Sequence, residues 1–316
     1  MTYSSGGLIQ ATDYNGFVST TVSANVNATW NTTYGQPALG TVSAGGTVSA
    51  TQWASLVNTI TSMAAHQPTT ITARSAPTAG TTIEVLAAVN TDITNCFTNR
   101  YNAYAQGTQF TGWTGTNSKT AATSGATWTI TFTNTVTFAN ATAATNFFNS
   151  GGTVKIDVSK TSTGDLGDPE WNDLANTLCG DIYISGLATS HTIAGTPYTG
   201  TTKIGGTGVP TTLSTTTGWD ALVNAAPPTV IYQQAADTAP YTNNYISLQA
   251  QKNTSSTVLT LYAYWVASDG DPITGGTAPS GATPGTAPCT IVTYYPPEST
   301  NLTPTWGTPT VAATTA

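Results

Sequence analysis

Past Gln109 the apolar residues of this chain change from a helical spacing to strict alternation, and that switch limits what the chain can fold into. Trp128, Ile130 and Phe132, then Val136 and Phe138, alternate with Thr and Asn, which is the pattern of a half-buried strand or strand pair. Further strands are expected at 153–158, 181–185, 229–233, 244–251, 257–266 and 290–295, separated by Gly, Pro and Asn clusters. Threonine suits the outer face of such strands because it is β-branched and needs no charge. The expected class is mainly β with an α-helical N-terminal part, the body being an antiparallel β-sandwich or jelly roll. The expected divisions are a helical region at 1–108 with an extended first ten residues, a β body at 109–288 with short inserted helices, and a strand plus Pro-rich tail at 289–316.

Helix signals concentrate in the first hundred residues. Ser49-Ala50-Thr51-Gln52 reads as a capping box. It opens a stripe of Trp53, Leu56, Val57, Ile60 and Met63 that Pro68 ends. A second helix is expected at 82–104, with Ile83, Leu86, Asn90, Ile93, Phe97, Tyr101 and Tyr104 on one side, and an earlier one at 12–22. Within the β region, 140–149 reads as a helix closed by Gly151. Asp168-Pro169-Glu170-Trp171 reads as a helix start, and Gly180 as that helix's end. A small motif recurs at Trp53/Leu56, Trp171/Leu174 and Trp219/Leu222, where Trp and Leu three residues apart share a helix face. Its expected role is structural: a Trp-anchored turn packed on a sheet.

Charge is scarce. The 316 residues include 7 Lys and Arg against 14 Asp and Glu, or 7% charged, where about 25% is usual. Without a basic stripe, neither the phosphates of nucleic acid nor anionic lipid is an expected partner. A surface of hydroxyls, amides and methyl groups lacks the repulsion that disperses monomers and can pack on its own copy without burying unpaired charge. No stretch is long and apolar enough to insert in a membrane, and the first residues show neither the basic nor the apolar region of a secretory signal.

Catalytic and metal patterns are weak. His66 and His191 have no carboxylates at triad or metal spacing, and Cys96, Cys179 and Cys289 have no metal-type spacing. The acidic runs Asp165, Asp168, Glu170, Asp173 and Asp269-Gly270-Asp271 read as helix capping and a turn before they read as calcium ligands. Gly205-Gly206-Thr207-Gly208 lacks the lysine of a phosphate loop. No cofactor is implied, and a paired-carboxylate glycosidase has no positive support. Sequons at Asn27, Asn31, Asn140, Asn253 and Asn301 are compatible with chance in so Asn- and Thr-rich a chain.

The prolines after Tyr294 favour an extended tail. Such an arm could add to a neighbour's sheet edge. This makes Tyr294, Tyr295, Leu302 and Trp306, with Tyr3, Leu8 and Ile9 at the other end, the candidate assembly contacts. The bland alternative is that both ends fold back on their own chain.

Several segments together resemble virion structural proteins of tailed phages of aquatic bacteria, including cyanobacterial phages. They are 7–15, Tyr34-Gly35-Gln36, 48–53 through His66-Gln67, 136–140 leading to 146–152, Tyr294-Tyr295-Pro296-Pro297, and Trp306-Gly307-Thr308-Pro309. The resemblance implies a particle or appendage component, in a virion or outside a cell, with no catalytic residue to carry over; related sequences could also build free filaments. The expected function is a homopolymeric structural subunit whose partners are its own copies and other virion proteins. The alternative is an adhesin that binds host-surface glycans through Trp113, Trp219 or Trp306.

Overall fold

A computed structural model describes residues 10–19, 24–79, 86–116, 127–161, 168–239, 241–268 and 288–315. Three helices lead the chain: α1 (Ala11–Val18), α2 (Ala50–His66) and α3 (Leu86–Thr98), with a π-helical turn at Ala28–Thr33. Next come β1 (Phe110–Thr116), β2 (Trp128–Thr137), α4 (Ala141–Asn149), β3 (Thr153–Lys160), α5 (Asp168–Asp173) and a second π-helical turn, Leu174–Cys179. Short strands follow: β4 (Asp181–Ile184), β5 (His191–Ile193), β6 (Thr196–Tyr198), β7 (Thr201–Ile204) and β8 (Thr212–Leu213). The last five are β9 (Thr229–Ala235), β10 (Tyr245–Lys252), β11 (Val258–Ala267), β12 (Pro288–Tyr295) and β13 (Thr310–Thr315).

The capping box of α2 forms as the sequence implies. Ser49 N–H donates to Gln52 Oε1 at 2.9 Å and Gln52 N–H to Ser49 Oγ at 3.2 Å, and the stripe from Trp53 to Met63 is buried. Helix α1 stops at Val18 because Ser19 is extended; residues 20–22 of the expected helix lie outside the described residues. Helix α3 departs further from expectation. It ends at Thr98, and its buried side is Val89, Asp92, Ile93 and Cys96, while Asn90 is exposed. Tertiary contacts decide both features. Asp92 turns inward to bind Arg74 and the Thr72 N–H. Ala103 leaves the helical path to donate its N–H to Thr192 O at 2.8 Å. Tyr104, expected on the helix face, is 69% exposed.

Two antiparallel sheets make up the rest. One has the order β1-β12-β3-β4-β7 and the other β13-β2-β11-β10-β9-β8, while β5 and β6 form a separate hairpin. Every expected strand is present. Helix and strand nevertheless hold comparable shares of the described residues, so the class is mixed α and β rather than mainly β. A jelly-roll connectivity is not displayed, since β8 to β11 follow one another as a meander. Strand β12, expected to start a C-terminal appendage, lies inside its sheet between β1 and β3. The end strands of the two sheets run beside each other on both sides, β1 near β13 and β7 near β8. This leaves little edge free to recruit another strand.

One apolar core runs from Tyr14 to Trp306 and takes residues from all three expected divisions. The six motif residues Trp53, Leu56, Trp171, Leu174, Trp219 and Leu222 all lie in it. Trp171 stacks obliquely between Trp128 of β2 and Trp265 of β11, at 4.9 and 5.8 Å. The turn Leu174–Cys179 sits between the sheets, touching β3 on one and β9 and β10 on the other. Gly180 ends that turn with φ 72° and ψ −176°, a region essentially restricted to glycine. A Cβ there would lie 2.5 Å from Gly205 O. Gly180→Ala should therefore cost about 2–4 kcal/mol in urea unfolding. An unchanged midpoint would show that this corner is not held as described.

Candidate assembly site: the docked C-terminal tail

The tail, expected to reach outward, is docked on its own chain. Leu302 and Trp306 are buried in the core. Tyr294 is buried too, packs on Phe147 at 6.1 Å and donates its hydroxyl to Pro309 O at 3.2 Å. Tyr295 is half-buried, 6.1 Å from Tyr183. Strand β13 then pairs with β2 in register from Thr310↔Thr137 to Thr315↔Phe132. The physical reason is that two large apolar side chains and a free strand edge lie within reach of the same chain, and burying them there needs no partner. Tyr3, Leu8 and Ile9 lie outside the described residues.

The dock is built from segments far apart in sequence. Gln36 is buried, and its amide binds both main-chain groups of Thr303: Nε2 donates to Thr303 O at 2.8 Å, and Oε1 accepts from Thr303 N–H at 3.1 Å. Thr305 donates its hydroxyl to Tyr34 O at 2.9 Å and accepts from Asn146 Nδ2 at 3.2 Å. Gly35 between them has φ 69°, and a Cβ would collide with the Asn146 amide. Gln67 Nε2 donates to the Tyr34 hydroxyl at 2.6 Å, and burial pushes that phenol above its usual pKa. Segments 34–36, 66–67, 146–152, 294–297 and 306–309, far apart in sequence, therefore meet here.

At the centre lies His66, fully buried at the end of α2. Its Nδ1 is 2.9 Å from Glu298 Oε1 and its Nε2 is 3.1 Å from Ser150 O. Both ring nitrogens thus face oxygen atoms of the chain. Glu298 also accepts from the Thr300 and Asn301 N–H groups, at 2.5 and 3.1 Å, and from Asn301 Nδ2. Burial raises the Glu298 pKa. The hydrogen bonds from His66, Asn301 and Thr300, with the His66 charge, outweigh that and hold the carboxyl at about 2. Sequence spacing could not reveal this pair, because its members are 232 positions apart.

Glu298, His66 and Ser150 stand in the order of a hydrolytic triad, but the geometry is structural. The ring engages the Ser150 carbonyl oxygen rather than its hydroxyl, and both residues are fully buried. An open cleft of about 270 Å³ runs over the tail, with Gly107, Tyr294, Pro296, Pro297 and Trp306 in its walls.

The remaining candidates sit elsewhere. Trp219 and Trp306, proposed as glycan platforms, are core residues and so present no stacking face; the Trp113 side chain lies outside the described residues. Cys96 and Cys179 are buried free thiols, both pushed up to about 12 chiefly by burial. The Cys289 side chain lies outside the described residues, as do Asp165, Asp269 and Asp271. Among the described residues no group of three His, Cys, Asp or Glu is placed to hold a metal ion. His191 bonds Thr189 O, and burial lowers its pKa. All five sequon asparagines are hydrogen-bonded within the chain, Asn27 and Asn140 as helix and loop supports. No helix of the described residues is long and apolar enough to cross a membrane. No family model, curated protein or solved structure matches the chain.

Glu298 carries a depressed pKa, so its contribution is complete above the ordinary carboxylate value of 4.5 and is lost as the pH falls toward 2. Glu298→Gln, whose amide accepts at one oxygen where the carboxylate accepts at two and carries no charge, should lower stability at pH 7 by about 2–4 kcal/mol. The gap to the parent should close between pH 4.5 and pH 2. Denaturant titrations across that range test this; a gap independent of pH would contradict the assignment.

Proposed function

We propose that the chain is a non-catalytic structural subunit that assembles with its own copies into a fibre, tube or helical filament, as a virion appendage or an extracellular filament. The observation that carries this reading is the way the tail is held. Main-chain hydrogen bonds to Gln36 and β2, with sockets for Leu302 and Trp306, form the kind of dock by which an extended segment adds to a sheet. The same dock could accept the tail of a neighbour, which is how identical elements are exchanged between protomers. The low charge of the chain supports the reading, since it removes the repulsion that opposes close packing of copies. We read the two sheets as the halves of a sandwich, on the strength of their common core and adjoining end strands. The resemblance to phage virion proteins points the same way.

Purified protein is expected to elute as large particles in size-exclusion chromatography, with regular fibres or tubes in negative-stain electron micrographs. A clean monomer at micromolar concentration would count decisively against the reading.

A further inference from the structure

The few charges of this chain are unevenly placed on its two sheets. On the outward side of the five-stranded sheet, Lys155 lies 3.3 Å from Asp181 and 3.8 Å from Asp157. The β5–β6 hairpin covers part of that side, with Tyr198 packed on Tyr183 at 5.5 Å. The six-stranded sheet differs. Strand β2 alternates buried residues with Thr129, Thr131, Thr133, Thr135 and Thr137. On β11 the outward set includes Thr260, Tyr262 and Tyr264, which lie directly opposite Thr135, Thr133 and Thr131. Strand β10 adds Gln249 and Gln251, β13 adds Ala312, and β9 adds Val230, which is 37% exposed. Across these five strands the outward positions hold no Asp, Glu, Lys, Arg or His. Lys252, at the end of β10, turns away to the carbonyls of Trp219 and Asp220.

Among the described residues no helix packs chiefly on this side. Helix α2 packs on α3 and the turn Ala28–Thr33, and α5 packs on the turn Leu174–Cys179 and β3. The outward residues of β2 and β11 are accordingly half-exposed or exposed. Five strands at about 4.8 Å spacing and about 30 Å long present roughly 700 Å². A stable interface takes about 800 Å² from each partner. The chemistry suits one occupant. A charged partner would lose hydration against this face and gain no counter-charge, whereas an identical face has nothing to desolvate beyond hydroxyls and amides. Stiff Thr side chains and the stacked rings of Tyr262 and Tyr264, 6.2 Å apart, lose little freedom on contact.

We propose that the charge-free outer face of the six-stranded sheet packs against the same face of a second copy of this chain. The contact is isologous, so it pairs subunits, and an open polymer needs one further contact such as the tail. The proposal rests on the self-assembly reading and names its surface.

Thr133→Lys and Thr133→Glu place like charges face to face at the centre of such a contact, and Ser159→Lys on β3 is the control on the other sheet. Both positions are half-exposed, so melting temperatures should stay near the parent value. Thr260→Glu replaces any variant that fails to fold. Sedimentation velocity should show the parent and Ser159→Lys in the same large species, and both Thr133 variants reduced about twofold or more in mass. Folded Thr133 variants that assemble as the parent does would overturn the proposed face and leave self-assembly standing. A parent that sediments as a monomer would overturn the self-assembly reading itself.

Discussion

A neutral side-chain amide that binds both polar groups of one distant main-chain residue is the interaction on which this structure depends. Four occur among the described residues. Asn15 binds Val42 N–H and O, Asn27 binds Leu39, Gln36 binds Thr303 and Asn176 binds Lys160. Each amide carries a donor and an acceptor and so imitates the edge of a strand. The loops at 36–42 and 299–309 have little regular structure, yet their buried main-chain groups need partners. An ionic anchor would supply only one sense of hydrogen bond and would carry a desolvation cost of several kcal/mol per ion. The amide avoids that cost, which is how a chain with 7% charge keeps long irregular segments in place.

The charges that remain are used locally. Asp92 with Arg74 fixes the loop before α3, and Glu298 with His66 fastens the tail to the end of α2. Lys155 gathers Asp157 and Asp181 on one sheet. The opposite sheet is left to Thr, Tyr and Gln. Internal amide anchoring and a charge-free outer face are thus two results of one composition. The first closes the subunit, and the second is the surface proposed for contact between copies.

Much of the secondary structure was legible. Alternation located β2, β3, β4, β9, β10 and β11, because each has one face in the core and one outside, whereas β12 stood out as a β-branched and aromatic run whose Val292, Thr293 and Tyr294 are all buried. The Ser49–Gln52 box located α2, and the closing Gly151 located α4, whose start Asn140 caps. The short strands β5 to β8 were not legible, since two to four residues carry no period. Nor was β13, whose Thr-Val-Ala-Ala-Thr-Thr has almost no contrast between its faces. The candidate site was half legible. Tyr294, Leu302 and Trp306 stood out as large apolar residues in a polar tail, but they point inward. Gln36, Asn146 and the His66–Glu298 pair carry no local signal, because their partners lie more than a hundred positions away.

The sequence by itself determined the two periods, the helix caps, the buried Trp and Leu anchors and the scarcity of charge, since each is a matter of composition or of neighbours a few positions away. Only the tertiary structure decided that α3 stops at Thr98, that β12 sits inside a sheet, and that the tail closes on its own chain. Those outcomes depend on which distant partner offers a free edge or an apolar socket at the lowest entropy cost, and a segment docked on its own chain avoids the loss of translational freedom that binding a neighbour's segment entails.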